Sequence, residues 1–206
     1  MEDGMGERCG WCGTDPLYVA YHDDEWGVPE RDPRALYEKL VLDGFQAGLS
    51  WYTILRKREN FRAAFAGFDP DVIATWGEPE VTRLLADAGI VRHRGKIEAA
   101  ITNAQAWQRV EASPGGFTDF IWSAVDGVPV QNGWTELGQI PATSPVGDVL
   151  AKRLKQAGFR FCGPTIVYAF AQAVGLVNDH IVDCPAFARC TALSVVEPVE
   201  SPDATP

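Results

Sequence analysis

The sequence has no apolar run of about 18 residues, the length a membrane-spanning helix needs, so no membrane partner is expected. Its opening stretch, MEDGMGERCGWC, lacks the apolar segment of a secretory signal, and a cytoplasmic location is the expectation. Basic charge is in deficit: 18 Lys and Arg stand against 28 Asp and Glu, a net charge of −10. That balance argues against a non-specific polyanion binder. Cysteine is scarce and odd in number (Cys9, Cys12, Cys162, Cys184, Cys190). Without an export signal, such a set argues for metal ligation or free thiols over a disulfide framework. Strand-like alternation and low-complexity tracts are absent too. With 46% hydrophobic and 22% charged residues, the 206-residue chain can bury a core without covalent staples.

What is present is helical patterning. Asp32-Pro33 is an N-cap followed by proline at the first helical position, and Leu36, Leu40, Val41 and Phe45 then recur at helical spacing. A helix over 33–46 follows. Ser50 caps a second one running to about residue 65. Asp69-Pro70 and Glu78-Pro79 open short helices, 94–110 reads as a long amphipathic helix and 117–125 as a short one. Residues 127–144 read as a loop. Ser144-Pro145 begins a helix ending before Gly158, and Pro164 opens an apolar helix through Ala173. The chain reads as all-α: residues 1–7 a flexible N-terminus, 8–188 one helical domain or two lobes, and 189–206 a loose tail.

Four constellations can carry chemistry. Cys9, Cys12 and His22 lie near one end, and His180 and Cys184, an i, i+4 pair, near the other. Thiolates and imidazoles in these half-sites suit tetrahedral zinc, and a metal here would close a very long loop. Surface histidines and an incidental CxxC fit the same spacing. Second, two glycine-bounded helices around Gly158-Phe159-Arg160-Phe161-Cys162-Gly163 expose amides at a helix N-terminus, where a phosphate binds well, and Phe159 and Phe161 would pin the turn to the core. An ordinary helical hairpin is the bland alternative.

Third, Trp11, Tyr18, Tyr21 and Trp26 crowd a stretch with little helical pattern, which suggests a stacking pocket or an arm packed by its aromatics. Fourth, Asp43 interrupts an apolar helical pattern close to Gln46 and Trp51, as a carboxylate for a cationic aromatic ligand or as a solvent-facing residue near a helix end. Of the 18 basic residues, 11 fall in three groups: Arg56, Lys57, Arg58 and Arg62; Arg92, Arg94 and Lys96; Lys152, Arg153, Lys155 and Arg160. They form either a basic face or three solvated helix faces.

Taken together, RCGW at 8–11, DPLYVAYHDDEWGVP at 15–29, GFQAGLSW at 44–51, TILRKREN at 53–60, AGIVRHRGKIEA at 88–99, KQAGFRFCGPT at 155–165 and GLVNDH at 175–180 resemble the DNA-3-methyladenine glycosylase I family of helix-hairpin-helix repair glycosylases. The resemblance spans about residues 8–185. It implies hydrolytic release of 3-methyladenine from alkylated double-stranded DNA by a monomer. It also implies a structural zinc joining the N- and C-terminal segments through Cys9, His22, His180 and Cys184. Asp43 would be catalytic, and Trp11, Tyr18, Tyr21 and Trp51 would form the base pocket. Gly158, Arg160, Gly163 and Thr165 would grip the DNA backbone.

Two positions depart from the family pattern. Asp43 stands where the family usually has Glu, and Ala169 where similar members carry Ser. Asp179 lies near the position where other superfamily glycosylases keep an Asp that activates water or steadies the sugar cation, though this family is understood to work without it. A non-catalytic binder of damaged DNA, or a helical protein binding a cationic aromatic metabolite, are the competing readings.

Overall fold

The computed structural model describes residues 7–194. Proline at the first or second helical position, preceded by a capping side chain, starts several of the helices. Asp15 accepts from the Leu17 and Tyr18 amides and opens α1 (Pro16–Asp24). Asp32 caps α2 (Pro33–Gln46) through the Ala35 amide. Ser50 caps α3 (Trp51–Leu55), which a break at Arg56 and Lys57 separates from α4 (Arg58–Ala64), so the single helix expected over 50–65 is two. Next come α5 (Pro70–Ile73), capped by Asp69, then α6 (Glu78–Ala86), α7 (Arg94–Glu111) and α8 (Gly116–Trp122). Ser144 caps α9 (Pro145–Gln156), and α10 (Pro164–Ala173) and α11 (Pro185–Leu193) complete the described helices.

Three expectations are corrected. The aromatic N-terminal stretch is helical over α1, because Asp15-Pro16 supplies the same start signal as Asp32-Pro33. Its apolar period is hidden because its rings pack on one another and on α3 rather than on the main core. The tail expected from residue 189 is helical to Leu193, where Ala186 and Cys190 are buried. Residues 195–206, the rest of that tail, and 1–6, most of the N-terminus expected to be flexible, lie outside the described residues. Finally, a two-residue parallel pair, β1 (Val130–Gln131) with β2 (Val177–Asn178), joins the long loop to the segment after α10; it is too short to show alternation.

α2 is the central element. Eight of its 14 residues are buried, including Leu36, Tyr37, Leu40, Leu42 and Phe45, and it packs on α3, α7, α8 and α10. The buried Lys96 of α7 donates to the Phe45 and Ala47 carbonyls at 2.8 and 2.6 Å, so a cation terminates the helix at its negative end. The connection from α9 to α10 turns at Gly158 (φ +96°) and rests on α7. There the Asn103 amide donates to Arg160 O (3.1 Å) and its carbonyl accepts from Arg160 N (2.7 Å). Phe159 is buried against Phe117, as expected, whereas Phe161 is half-buried and meets His93 edge-on. Among the described residues, no helix is long and apolar enough to cross a membrane.

Candidate active site

A cavity of about 360 Å³ opens where α1, α2, α3 and α10 converge with the loop before α9. It is lined by Trp11, Tyr18, Tyr21, Trp26, Lys39, Asp43, Gln46, Trp51, Leu137, Ile140, Ala169 and Gln172. The structure therefore brings Asp43 and all four expected pocket aromatics together. Tyr21 and Trp51 face each other with ring centres 5.3 Å apart. Trp11 touches Tyr18, Tyr21 and Trp26 edge-on, with centres 5.0–6.4 Å apart.

Asp43 is buried on α2, not solvent-facing. Its Oδ1 accepts from Lys39 Nζ at 2.5 Å, one turn back on the same helix, while Oδ2 has no hydrogen-bond partner. Trp51 Nε1 is likewise buried without a partner. Burial pushes the Asp43 carboxyl upward against the pull of Lys39, and burial pushes the Lys39 ammonium downward against the pull of Asp43. Burial, reinforced by Asp43, holds the Tyr21 phenol well above its usual range.

Sequence reasoning missed Lys39, Leu137, Ile140 and Gln172. A lysine next to Glu38 reads as part of a solvated face, and only its i, i+4 spacing to Asp43 signals the pair. Leu137 and Ile140 come from a segment with no period at all. Ala169 puts a methyl group, with no polar atom, on the wall.

Behind the aromatics, Cys9, His22, His180 and Cys184 are all buried, with one potential ligand atom of each within 4.8 Å of the others. Sulfur–nitrogen separations are 3.5–3.7 Å. His22 Nδ1 donates to Asp23 (2.8 Å) and His180 Nε2 donates to the Trp26 carbonyl (2.9 Å). These bonds fix both tautomers, so His22 Nε2 and His180 Nδ1 turn lone pairs toward the sulfurs, the arrangement metal-binding imidazoles adopt. The Cys184 thiol is pulled below its usual range by Cys9 first, then by the two imidazoles, against the effect of burial. Gly27 (φ +83°) is required here: a Cβ would lie 3.0 Å from His180 Nε2. The four residues fit a tetrahedral metal ion. Cys12 is not in the cluster; its thiol donates to Cys9 O.

The three basic groups separate. Arg58 pairs with Glu25, Arg62 with Glu38 and Glu59, and Arg94 with Glu78 and Glu98, while Lys96 caps α2. Lys152, Lys155 and Arg160 are exposed, and among the described residues no carboxylate lies within ion-pair distance of them. They border a cleft that also includes Gly163 and Pro164 at the start of α10, and exposed Thr165 follows. Gly158 makes the turn itself, with the Arg109 guanidinium close by. Asp179 does not line the cavity but lies one hydrogen bond behind it, through Gln172. Its buried carboxylate accepts four bonds, from Asn132, Trp134, Tyr168 and Gln172.

A family model described as methyladenine glycosylase matches residues 11–188. The chain belongs to the methyladenine glycosylase family. It is 54% identical over 178 residues to DNA-3-methyladenine glycosylase 1 of Escherichia coli K12, covering 86% of this chain and 95% of that protein. It is 46% identical over 181 residues to the DNA-3-methyladenine glycosylase of Haemophilus influenzae, covering 88% and 98%. A crystal structure of a 3-methyladenine DNA glycosylase I superposes with a TM-score of 0.85 at 56% identity, covering 86% of this chain and 98% of that one. The Staphylococcus aureus member of this family, whose structure concerns 3-methyladenine recognition, superposes at 0.84 with 39% identity, covering 86% and 95%. The mostly helical fold is thus that of the family's solved members.

Proposed function

We propose that this chain is a base-excision repair glycosylase that flips 3-methyladenine out of alkylated double-stranded DNA and releases it by hydrolysis. The observation that carries this reading is the buried Asp43 carboxylate, with Oδ2 unpartnered, on a cavity walled by the rings of Tyr21 and Trp51. Methylation at N3 makes the base cationic, so it is both a good leaving group and a match for that carboxylate. Flipping a nucleotide costs a few kcal/mol, and less for a badly paired damaged base.

Once the base is extruded, the rings of Tyr21 and Trp51, with Trp11 and Tyr18 at the rim, pack against it, and Asp43 accepts an N–H from its edge. The bond from the sugar C1′ to the base nitrogen breaks with its electron pair going to the base, which becomes neutral. Water adds to the sugar cation and its proton passes to solvent. The charge of Asp43 favours a positive nucleotide whether that charge lies on base or sugar.

Lys155, Arg160 and the α10 amides near Gly163 and Thr165, on a helix-hairpin-helix turned at Gly158, hold a DNA phosphate. Zinc, held by Cys9, His22, His180 and Cys184, supplies structure by tying the two ends of one domain spanning 8–188. The protein acts as a monomer in the cytoplasm.

Incubation of the wild-type protein with methylated duplex DNA, followed by chromatography of the freed bases, tests the reading. Release of 3-methyladenine with 7-methylguanine left in place is expected. Folded protein that binds DNA and releases nothing would make it a non-catalytic binder.

A further inference from the structure

Among the described residues, Lys39 is the one ammonium on the cavity wall, and it sits where a cationic ligand would. Its Nζ lies 3.7 Å from the centre of the Trp51 ring and 2.5 Å from Asp43 Oδ1, and its side chain is 15% exposed. Tyr21, Trp51 and Lys39 also line a second cavity of about 230 Å³, so they form the wall between the two. Four carboxylates, on Asp24, Glu25, Glu30 and Glu38, border that second cavity against two guanidiniums, Arg58 and Arg62. An ammonium leaving Asp43 thus has an acidic place within reach of its flexible four-carbon stem.

Resting on the reading of the first cavity as a base pocket, we propose that Lys39 sets its specificity as a tethered counter-ion. The ammonium occupies the position between Asp43 and the Trp51 face, and a base is accepted only when it brings a positive charge to replace it. A cationic purine takes over both contacts as Lys39 withdraws into the acidic cavity, and no buried charge is left alone. A neutral purine that pushes Lys39 aside strands the Asp43 carboxylate, and breaking a buried pair is strongly unfavourable. One that leaves Lys39 in place finds the Trp51 face taken. Lys39 is thereby a filter against ordinary adenine, which is neutral.

Two probes differing by one methyl group and one charge test this: 3,9-dimethyladeninium, permanently cationic, and neutral 9-methyladenine. Calorimetric titration at pH 7 of wild type, Lys39→Met and Lys39→Arg gives each protein's preference. Wild type is expected to favour the cation by at least about tenfold, a difference of about 1.4 kcal/mol. In Lys39→Met no ammonium occupies the Trp51 face, so 9-methyladenine is expected to bind at least about tenfold tighter than to wild type. Lys39→Arg keeps the charge and the preference.

A structural role alone would weaken both probes together, and an unchanged affinity of Lys39→Met for 9-methyladenine overturns the proposal while leaving base release by the wild type intact. If the wild type binds neither probe yet releases base from DNA, the cavity is not the base pocket and the proposal fails with it. If it neither binds nor releases, the glycosylase reading fails as well.

Discussion

Replacing Asp179 with Asn changes the character of four hydrogen bonds at once. The carboxylate is 1% exposed. Its Oδ1 accepts from Asn132 Nδ2 and Trp134 Nε1, each at 2.7 Å, and its Oδ2 from Tyr168 Oη at 2.5 Å and Gln172 Nε2 at 2.8 Å. These bonds tie the loop before α9 to α10. In Asp179→Asn the carbonyl keeps the Trp134 side, whose indole can only donate. The amide nitrogen faces Tyr168 and Gln172, which must rotate or flip to accept. Bonds to a charged acceptor contribute about 1.5–3 kcal/mol each and neutral ones about 0.5–1.5. The four conversions therefore lose roughly 4–5 kcal/mol, and the lower cost of burying a neutral amide offsets about half of that. A net loss of about 2 kcal/mol lowers the melting temperature by roughly 4–8 °C for a chain of this size. Thermal unfolding followed by circular dichroism measures it, alongside base release at a temperature where both proteins are folded. A melting temperature within 1–2 °C of wild type, about the resolution of the method, refutes the energetics. A fall in release of more than about tenfold, equivalent to 1.4 kcal/mol, in the folded variant would show that the network also sets the cavity wall at Gln172, Leu137 and Ile140.

Other outcomes follow from the same geometry. Metal analysis gives about one zinc per chain, and a strong chelator lowers the melting temperature; metal-free protein with unchanged melting would remove the metal from the account. Gly27→Ala, with its strained φ and a Cβ 3.0 Å from His180 Nε2, is expected to destabilise by about 1–2 kcal/mol and to lower zinc content, read by calorimetry and metal analysis. Lys155→Ala with Arg160→Ala is expected to make the slope of log affinity for DNA against log salt shallower by about 2, since each phosphate contact contributes about 0.9. An unchanged slope would place the DNA elsewhere.

Most helix starts were legible because capping chemistry is local. Asp32-Pro33, Asp69-Pro70 and Ser144-Pro145 each begin a helix through a side chain that accepts a nearby amide. Asp15-Pro16 works the same way but precedes residues whose rings line a cavity, so no apolar stripe reinforced it. The aromatics and Asp43 were legible as types that suit a cationic base, and Tyr18, Tyr21, Asp43 and Trp51 do share one cavity. Lys39 was not, since its environment is set by the packing of α2 against α3. Nor were Leu137 and Ile140, which reach the cavity from a loop held by a two-residue strand pair and by the Asn132 and Trp134 bonds to Asp179. The fate of the basic groups was equally hidden: which arginines are neutralised depends on carboxylates distant in sequence, such as Glu25 for Arg58.

The central claim is that the Asp43 carboxylate recognises a cationic base, and single-turnover release of 3-methyladenine from methylated duplex DNA by Asp43→Asn and Asp43→Glu tests it. Losing a charge-assisted contact of about 1.5–3 kcal/mol slows Asp43→Asn by roughly 10–100-fold, whereas Asp43→Glu, which keeps the charge, stays within about tenfold of wild type. Folded Asp43→Asn that releases the base at the wild-type rate would contradict the account.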